Sequence, residues 1–348
     1  MKSGKRCTFI HPIHFPSSLL TERDYHKISA GTILAVYFGI WPRLVLHILI
    51  SMDSGAKINR FDRDSEGDGY MKELGYYNGK IGNLNEMMVP MNDRACWFGD
   101  GVYEAGMCRS GQIFALDEHI DRLFHSAEML EIQVPVTKQE LKDLLYDLIG
   151  KMDTGDLLVY YQVTRGSGPR GHAFPEGPAN LWVTLRPKKL DPDMPPVSLI
   201  TDADTRFFHC NIKTLNLIPS VMANEKAKRA GCYECVLYRP GGRVTECSHS
   251  NVHIIRDGVF ITAPTDELIL PGIARAHLIA ACGRLGIPVR ETPFTVGELK
   301  SADEILTSSS TAPCVRACRV DGLDAGMKRG DLFDALHRAI VDEYFQVE

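Results

Sequence analysis

The sequence predicts a two-domain α/β (α+β) protein of 348 residues, set behind an N-terminal extension. Two observations predict it. Strand-like and helix-like segments alternate from about Met71 to the C-terminus. A proline cluster, Pro192, Pro195 and Pro196, interrupts that alternation near its middle, as a linker would. The expected divisions are an extension over residues 1–70, a smaller N-terminal α/β domain over 71–190, a linker over 191–197 and a larger C-terminal domain over 198–348. No repeat at solenoid spacing competes with this reading.

Within the organised part, LGYYNGKIG from Leu74 reads as a strand and turn. Thr137 and Glu140 form a capping box that opens a helix, QELKDLLYDLIGK, with apolar residues at helical spacing. Leu157 to Arg165 and Leu181 to Pro187 read as buried strands. Short strands follow, punctuated by Pro240-Gly241-Gly242 and Asp257-Gly258. Gly272 to Leu285 and Gly330 to Phe345 read as helices.

The extension carries two patterns that invite other readings. Gly31 to Ile50 is apolar and long enough to span a bilayer. Arg43 lies well inside it, at a cost of about 2.5–3.5 kcal/mol near a membrane centre, and Pro42 and His47 weaken it further. No small-residue cleavage site closely follows the run, so it makes a poor signal peptide. The expectation is an appended segment, or a reading frame that truly starts at Met52 or Met71, with a membrane span disfavoured. Asp62 to Glu73 approximates an EF-hand loop through Asp62, Asp64, Glu66, Gly67 and Glu73. Glu66 is longer than the usual ligand, Gly69 stands where a hydrophobe pairs two loops, and a strand rather than a helix follows; a solvated acidic linker is expected, with no metal.

Composition narrows function by exclusion. A hydrophobic fraction of 44% and a charged fraction of 24% suit a globular protein, and a net charge of -5 leaves no basic excess for nucleic acid. Ten cysteines are scattered along the chain, several beside apolar residues (Cys108, Cys235, Cys282), which suggests reduced thiols in a cytoplasmic protein. Cys232 and Cys235 form a C-x-x-C with no second pair at zinc spacing. Gly166, Gly168 and Gly171 satisfy G-x-G-x-x-G after a strand, but the continuation RGHAFPEGP is helix-poor, so the dinucleotide reading fails on context.

Four groups could carry chemistry. Lys213 sits in the mostly apolar CNIKTLNLIPS. A lysine amine stripped of water can attack a carbonyl, although a lysine there can equally lay its stem over apolar surface. Glu246, in RVTECSHSN, is either a buried carboxylate with a fixed partner or a solvated turn residue. Arg170 and His172, two residues apart on a loop, suit capture of a carboxylate. Ser308 to Thr311 offer hydroxyls after a strand, suited to phosphate oxygens or simply to ending the strand. G-x-S-x-G, H-E-x-x-H and P-loop motifs are absent from the sequence.

Seven segments in this order make the chain resemble the fold-type IV, class IV pyridoxal-phosphate aminotransferases: Phe98–Glu104 (FGDGVYE), Asp117–Leu123 (DEHIDRL), Tyr160–Pro175, Cys210–Leu217 (CNIKTLNL), Val244–Asn251 (VTECSHSN), Leu270–Arg275 (LPGIAR) and Thr307–Thr311 (TSSST). Within that family the chain is most similar to the D-amino acid (D-alanine) aminotransferases, over about Glu73 to Tyr344. The resemblance implies a pyridoxal 5'-phosphate cofactor held by Lys213 as a Schiff base, with Glu246 on the pyridine nitrogen. It implies phosphate contacts from Arg122, from the backbone of Gly272, Ile273 and Ala274, and from Ser309 and Ser310. An R-x-H pair, Arg170 and His172, with Tyr103, would trap the substrate α-carboxylate. In the family that loop reaches in from a second subunit, so a homodimer is implied. The implied reaction is a ping-pong transamination of D-alanine and 2-oxoglutarate to pyruvate and D-glutamate. Branched-chain L-aminotransferases and aminodeoxychorismate lyases, which lack the R-x-H pair, are the alternative. Cys247, His249 and Ala274 depart from the family pattern, and residues 1–70 have no counterpart in it.

Overall fold

The computed structural model describes residues 70–345. The apolar stretch 31–50 and residues 62–69 of the EF-hand-like segment lie outside the described residues. Among the described residues no helix is long and apolar enough to cross a membrane, and no three His, Cys, Asp or Glu side chains cluster as metal ligands. Nine described cysteines are all free.

Six strands form the first sheet: β1 (Leu74–Tyr77), β2 (Lys80–Asn83), β3 (Gly101–Arg109), β4 (Gln112–Ile113), β5 (Leu157–Thr164) and β6 (Asn180–Pro187). Their order is β2-β1-β6-β5-β3-β4, antiparallel throughout. The β1–β2 hairpin turns on Asn78 and Gly79, with φ of 44° and 89°. Two successive positive φ values match the right-handed twist of the flanking strands, which is why Asn-Gly is favoured there. A short helix, α1 (Arg94–Phe98), precedes β3. Two longer ones, α2 (Leu116–Met129) and α3 (Lys138–Ile149), join β4 to β5. The expected capping box is present, with Thr137 Oγ1 accepting from the Glu140 N–H and Glu140 accepting from the Thr137 N–H. Leu141, Leu145 and Leu148 repeat at helical spacing and are fully buried in the same core as Leu157 and Val159 of β5. Each such leucine contributes roughly 1.5–3 kcal/mol by leaving water.

The second sheet holds β7 (Val197–Ala203), β8 (Glu234–Arg239), β9 (Arg243–Cys247), β10 (Asn251–Arg256), β11 (Val259–Thr262), β12 (Val289–Glu291), β13 (Glu304–Ser309), β14 (Ala312–Val320) and β15 (Leu323–Asp324). The path runs β12-β11-β10-β13-β14-β7-β8-β9, with β15 beside β14. The parallel pairs β14–β7, β7–β8 and β11–β12 make this sheet mixed. Helix α4 (Ile218–Arg229) connects β7 to β8, and α5 (Ile273–Leu285) connects β11 to β12. A six-residue helix, α6 (Val296–Ser301), and the C-terminal α7 (Gly330–Phe345) complete the chain. Asp257 and Gly258, with φ of 51° and 75°, close the β10–β11 hairpin.

The sheets change over between Pro187 and Val197, where the proline cluster lies. Contacts cross that point. Phe114, after β4, joins the core of Ile255, Leu278 and Leu336, and its ring stacks on Tyr344 at 3.7 Å between centroids. Strand β8 begins at Glu234, so Cys232 sits half-buried before it while Cys235 is buried inside it. After Gly166 the chain forms bends, with no helix before β6.

Candidate active site

A cavity of about 300 Å³ opens where both sheets contribute loops, and Lys213 stands in its wall. Lys213 lies on the connection from β7 to α4, which docks on β3 like a short extra strand. Tyr103 N–H donates to Lys213 O at 2.9 Å, Leu215 N–H donates to Gly101 O at 3.0 Å, and Val102 bridges Thr214. Ser126 Oγ on α2 accepts the Lys213 N–H at 3.2 Å. A Cβ on Gly101 would come within 2.6 Å of Val163 O and 2.8 Å of Leu215 Cδ1, so the docking requires glycine there. The ammonium sits 4.5 Å from the Tyr103 ring centroid. Among the described residues no hydrogen-bond or ion-pair partner meets Nζ, which leaves the amine free for chemistry.

Glu246, on β9, is a buried carboxylate rather than a solvated turn residue, at 7% exposure. Its Oε1 pairs with Arg206; its Oε2 accepts from Asn251 Nδ2 and from the Leu270 N–H, both at 3.0 Å. Burial pushes its carboxyl above the usual range, and the Arg206 guanidinium and Leu270 N–H pull it back part of the way. Two carboxylate oxygens accept about four hydrogen bonds, so capacity remains for one more donor from the cavity. Arg206 also reaches Asp204 at 2.9 Å, Thr245 Oγ1 at 3.3 Å and Leu268 O at 3.1 Å. Sequence reasoning missed Arg206 and Asp204; nothing in TDADTRFFHC distinguishes a buried ion pair from a solvated one.

Arg122, on α2, lines the opposite part of the wall. Its Nε and Nη2 donate to Glu104 at 2.7 and 2.9 Å, and Nη1 donates to Pro271 O at 2.9 Å. Of the five N–H donors of a guanidinium this leaves two, one on each Nη, for an anion in the cavity. The side-on fork is therefore committed to Glu104, and a phosphate would meet the end of the group. Glu104 is fully buried and also receives His119 Nδ1 at 2.7 Å. Burial alone would raise its pKa; Arg122 and His119 overcome that and hold it down to about 2, from an ordinary value of 4.5. A depressed carboxylate contributes stability that is complete above its unfolded pKa and lost as pH falls through its folded one. Glu104→Gln should therefore lower the melting temperature at neutral pH and flatten its decline between about pH 4.5 and 2. Thermal unfolding across that range measures it; an acid limb as steep as wild type would show that Glu104 carries no such charge.

The start of α5 faces the same end of the cavity. The helix begins at Ile273 with Gly272 as its N-cap, and no side chain caps it. The first-turn N–H groups, those of Ile273 and Ala274 included, have no partner inside the helix and suit an anion. A Cβ on Gly272 would fall 1.9 Å from Asn251 Oδ1, so glycine lets the helix start pack on the residue that also holds Glu246. Ser309 and Ser310 line the cavity at the β13–β14 turn. Beneath them a buried His253 meets Ser308 Oγ at 2.8 Å and Thr262 Oγ1 at 2.9 Å; burial, then Arg275, push its imidazole down to about 3, so the ring is neutral. A lysine, a buried carboxylate with spare capacity, an arginine with two free donors and an uncapped helix start fit an aromatic aldehyde phosphate.

The R-x-H residues lie elsewhere. Tyr103 lines the cavity, with its ring stacked on Tyr160 at 5.5 Å. Arg170 and His172 are exposed and do not line it. Their loop is fixed from below: buried Arg94 donates to Gly171 O at 2.8 Å and to Ala173 O at 3.2 Å. Phe98 lies under both side chains, 5.5 Å from the Arg170 guanidinium and 5.4 Å from the His172 ring.

A sequence model of the amino-transferase class IV family matches residues 101–320, which hold Lys213, Glu246 and Arg122. The chain belongs to the class IV aminotransferases. It is 39% identical over 276 residues to a D-alanine aminotransferase of Listeria monocytogenes (serotype 4b), covering 77% of this chain and 95% of that protein. A D-alanine aminotransferase of Bacillus licheniformis is 37% identical over 255 residues, covering 72% of this chain and 89% of its own. Among solved structures, a branched-chain aminotransferase of Thermoproteus uzoniensis with norvaline superposes with a TM-score of 0.73 at 24% identity, over 80% of this chain and 97% of that one. At that identity the likeness concerns the fold. Class IV aminotransferases depend on pyridoxal 5'-phosphate, and one structural neighbour, the T.th. branched-chain amino acid aminotransferase, was solved with pyridoxamine 5'-phosphate (TM-score 0.72, 24% identity, 78% of this chain and 94% of that one). Lys213, Glu246, Arg122, Ile273, Ala274, Ser309 and Ser310 all line this one cavity.

Proposed function

We propose that the chain is a D-amino acid transaminase, converting D-alanine and 2-oxoglutarate to pyruvate and D-glutamate, with Lys213 as the cofactor-linking and proton-moving amine. Pyridoxal phosphate supplies an electron sink conjugated to the substrate α-carbon and carries the amino group between the two half-reactions. Lys213 Nζ is the amine that would take the α-proton and return one on the far side of the substrate nitrogen, so one base would serve both transfers. Glu246 supplies negative charge where the pyridine nitrogen would sit, favouring its protonated form. Arg122, Ser309, Ser310 and the amides of Ile273 and Ala274 receive the phosphate. These roles rest on the cavity lining and on the family's motif order.

The observation that carries the D-specific reading is the R-x-H loop. It presents a permanent cation and a titratable donor outward from a braced base, while Tyr103 waits in the cavity wall without them. A second copy of the chain placing Arg170 and His172 over the cavity completes a carboxylate trap, so the working unit is a homodimer. A planar guanidinium matches a carboxylate through two hydrogen bonds and fixes which face of the α-carbon turns to Lys213. The D-alanine aminotransferase names of the relatives support the same substrate class.

The test is an absorbance spectrum of the purified protein before and after D-alanine, then L-alanine. A change with the D-enantiomer supports the reading. A change with L-leucine or aminodeoxychorismate alone would replace it by the corresponding relative. Arg170→Ala should raise KM for D-alanine by roughly 10–100-fold, the worth of a hydrogen bond to a charged group, with cofactor content intact. Loss of cofactor in that variant would show that Arg170 serves the cofactor instead.

A further inference from the structure

The cations lining the cavity are unequally committed. Arg122 is tied to Glu104 and Pro271, Arg206 to Asp204 and Glu246, and Lys213 is the reactive amine. His249 has a different setting. It sits at the tip of the turn joining β9 to β10, three residues past Glu246, and lines the cavity with 48% of its side chain exposed. Its neighbours Ser248 and Ser250 are buried.

One carboxylate gathers three groups of that turn. Glu234, at the start of β8 and fully buried, accepts from Ser248 Oγ at 3.2 Å, from the His249 N–H at 2.6 Å and from Ser250 Oγ at 2.6 Å. The same carboxylate faces His249 Nδ1 at 3.4 Å. The ring edge meets Tyr233, with centroids 6.1 Å apart and planes at 79°. The residue is thus held by its backbone N–H, with Nδ1 facing the carboxylate and the ring set at a steep angle to Tyr233. With Nδ1 facing the carboxylate, Nε2 is the ring nitrogen left for a ligand. The other histidine of the wall, His209, stands against Phe207 at 6.1 Å between centroids and has no carboxylate orienting it among the described residues.

We propose that His249 selects substrates whose side chain carries a second carboxylate, such as D-glutamate, D-aspartate and the corresponding oxo acids, by donating Nε2–H to that group. The assignment deepens the D-amino acid transaminase reading and rests on it. Glu234 acts as a positioning residue: it fixes the turn and faces His249 Nδ1. Neutral substrates such as D-alanine leave the donor to water.

Two non-reacting probes separate the side-chain interaction from turnover. Glutarate carries a second carboxylate; butyrate is a shorter chain with only one. Calorimetry on the holoenzyme gives the affinity ratio of the two. His249→Ala should lower the glutarate-to-butyrate ratio about tenfold, equivalent to about 1.4 kcal/mol, and lower the ratio of kcat/KM for D-glutamate over D-alanine by a similar factor. His249→Gln, which keeps a donor, should restore part of both ratios, and His209→Ala should move neither. Unchanged ratios in His249→Ala, or a shift confined to His209→Ala, would overturn the assignment. Failure of the parent reading shows differently: the wild-type protein would not turn over D-alanine, while the probe ratio would still report on His249.

Discussion

Lys213→Ala should lose transamination by about four orders of magnitude or more, because one amine is removed from both linkage and proton transfer. The variant should fold. The backbone of the lysine segment is held by Tyr103, Gly101 and Ser126, none of which uses the side chain, and Nζ makes no hydrogen bond among the described residues. The loss is then chemical, not structural. The visible absorbance of a lysine-linked cofactor should vanish while the melting temperature of the cofactor-free protein stays near wild type. A small primary amine added to the medium should recover a fraction of the activity by entering the space the side chain leaves. Turnover retained without any added amine would show that another residue moves the proton.

Arg206→Ala should produce the largest loss of stability among single substitutions at the site, about 3–5 kcal/mol. Two buried carboxylates share that guanidinium. Asp204 keeps a second cation, since Arg239 Nε lies 3.2 Å away. Glu246 keeps only the Asn251 amide and the Leu270 N–H, so the uncompensated charge falls on it. Already pushed upward by burial, its carboxyl should move further up without the guanidinium and favour a protonated pyridine nitrogen less. Thermal unfolding measures the first effect. Cofactor affinity, measured by titration without substrate, measures the second. Adding Glu246→Gln to Arg206→Ala should regain part of the stability, since no buried charge is left behind. A single variant within about 1 kcal/mol of wild type would mean that the pair is solvated.

Much of the fold was legible because local rules agreed with tertiary ones. The α3 helix shows it: a capping box and a leucine repeat both name its start and its buried face, and the structure contains both. The Asp257-Gly258 turn is similar, since backbone geometry at a tight hairpin depends on two residues. Helix α5 was legible to within one residue, with Gly272 serving as cap instead of first turn. The site was legible in a different way. No local property singled out Lys213, Glu246 or Arg122; motif order along the chain did.

The sequence by itself determined the alternation of elements and the membership of Lys213, Glu246, Arg122 and the hydroxyl turn in one family pattern. Those features depend on neighbours a few residues apart, or on order along the chain. Only the tertiary structure decided what each side chain can do there. Parallel pairing of β7 with β8 and β14 brings Arg206 beside Glu246 across forty positions, and α2 packing on β3 commits the fork of Arg122 to Glu104. Burial and partner choice are properties of chain segments meeting at a distance, and the free energy of a buried charge depends on who its partner is. The same packing holds Arg170 and His172 away from their own cavity and turns His249 toward it, where spacing alone distinguishes neither.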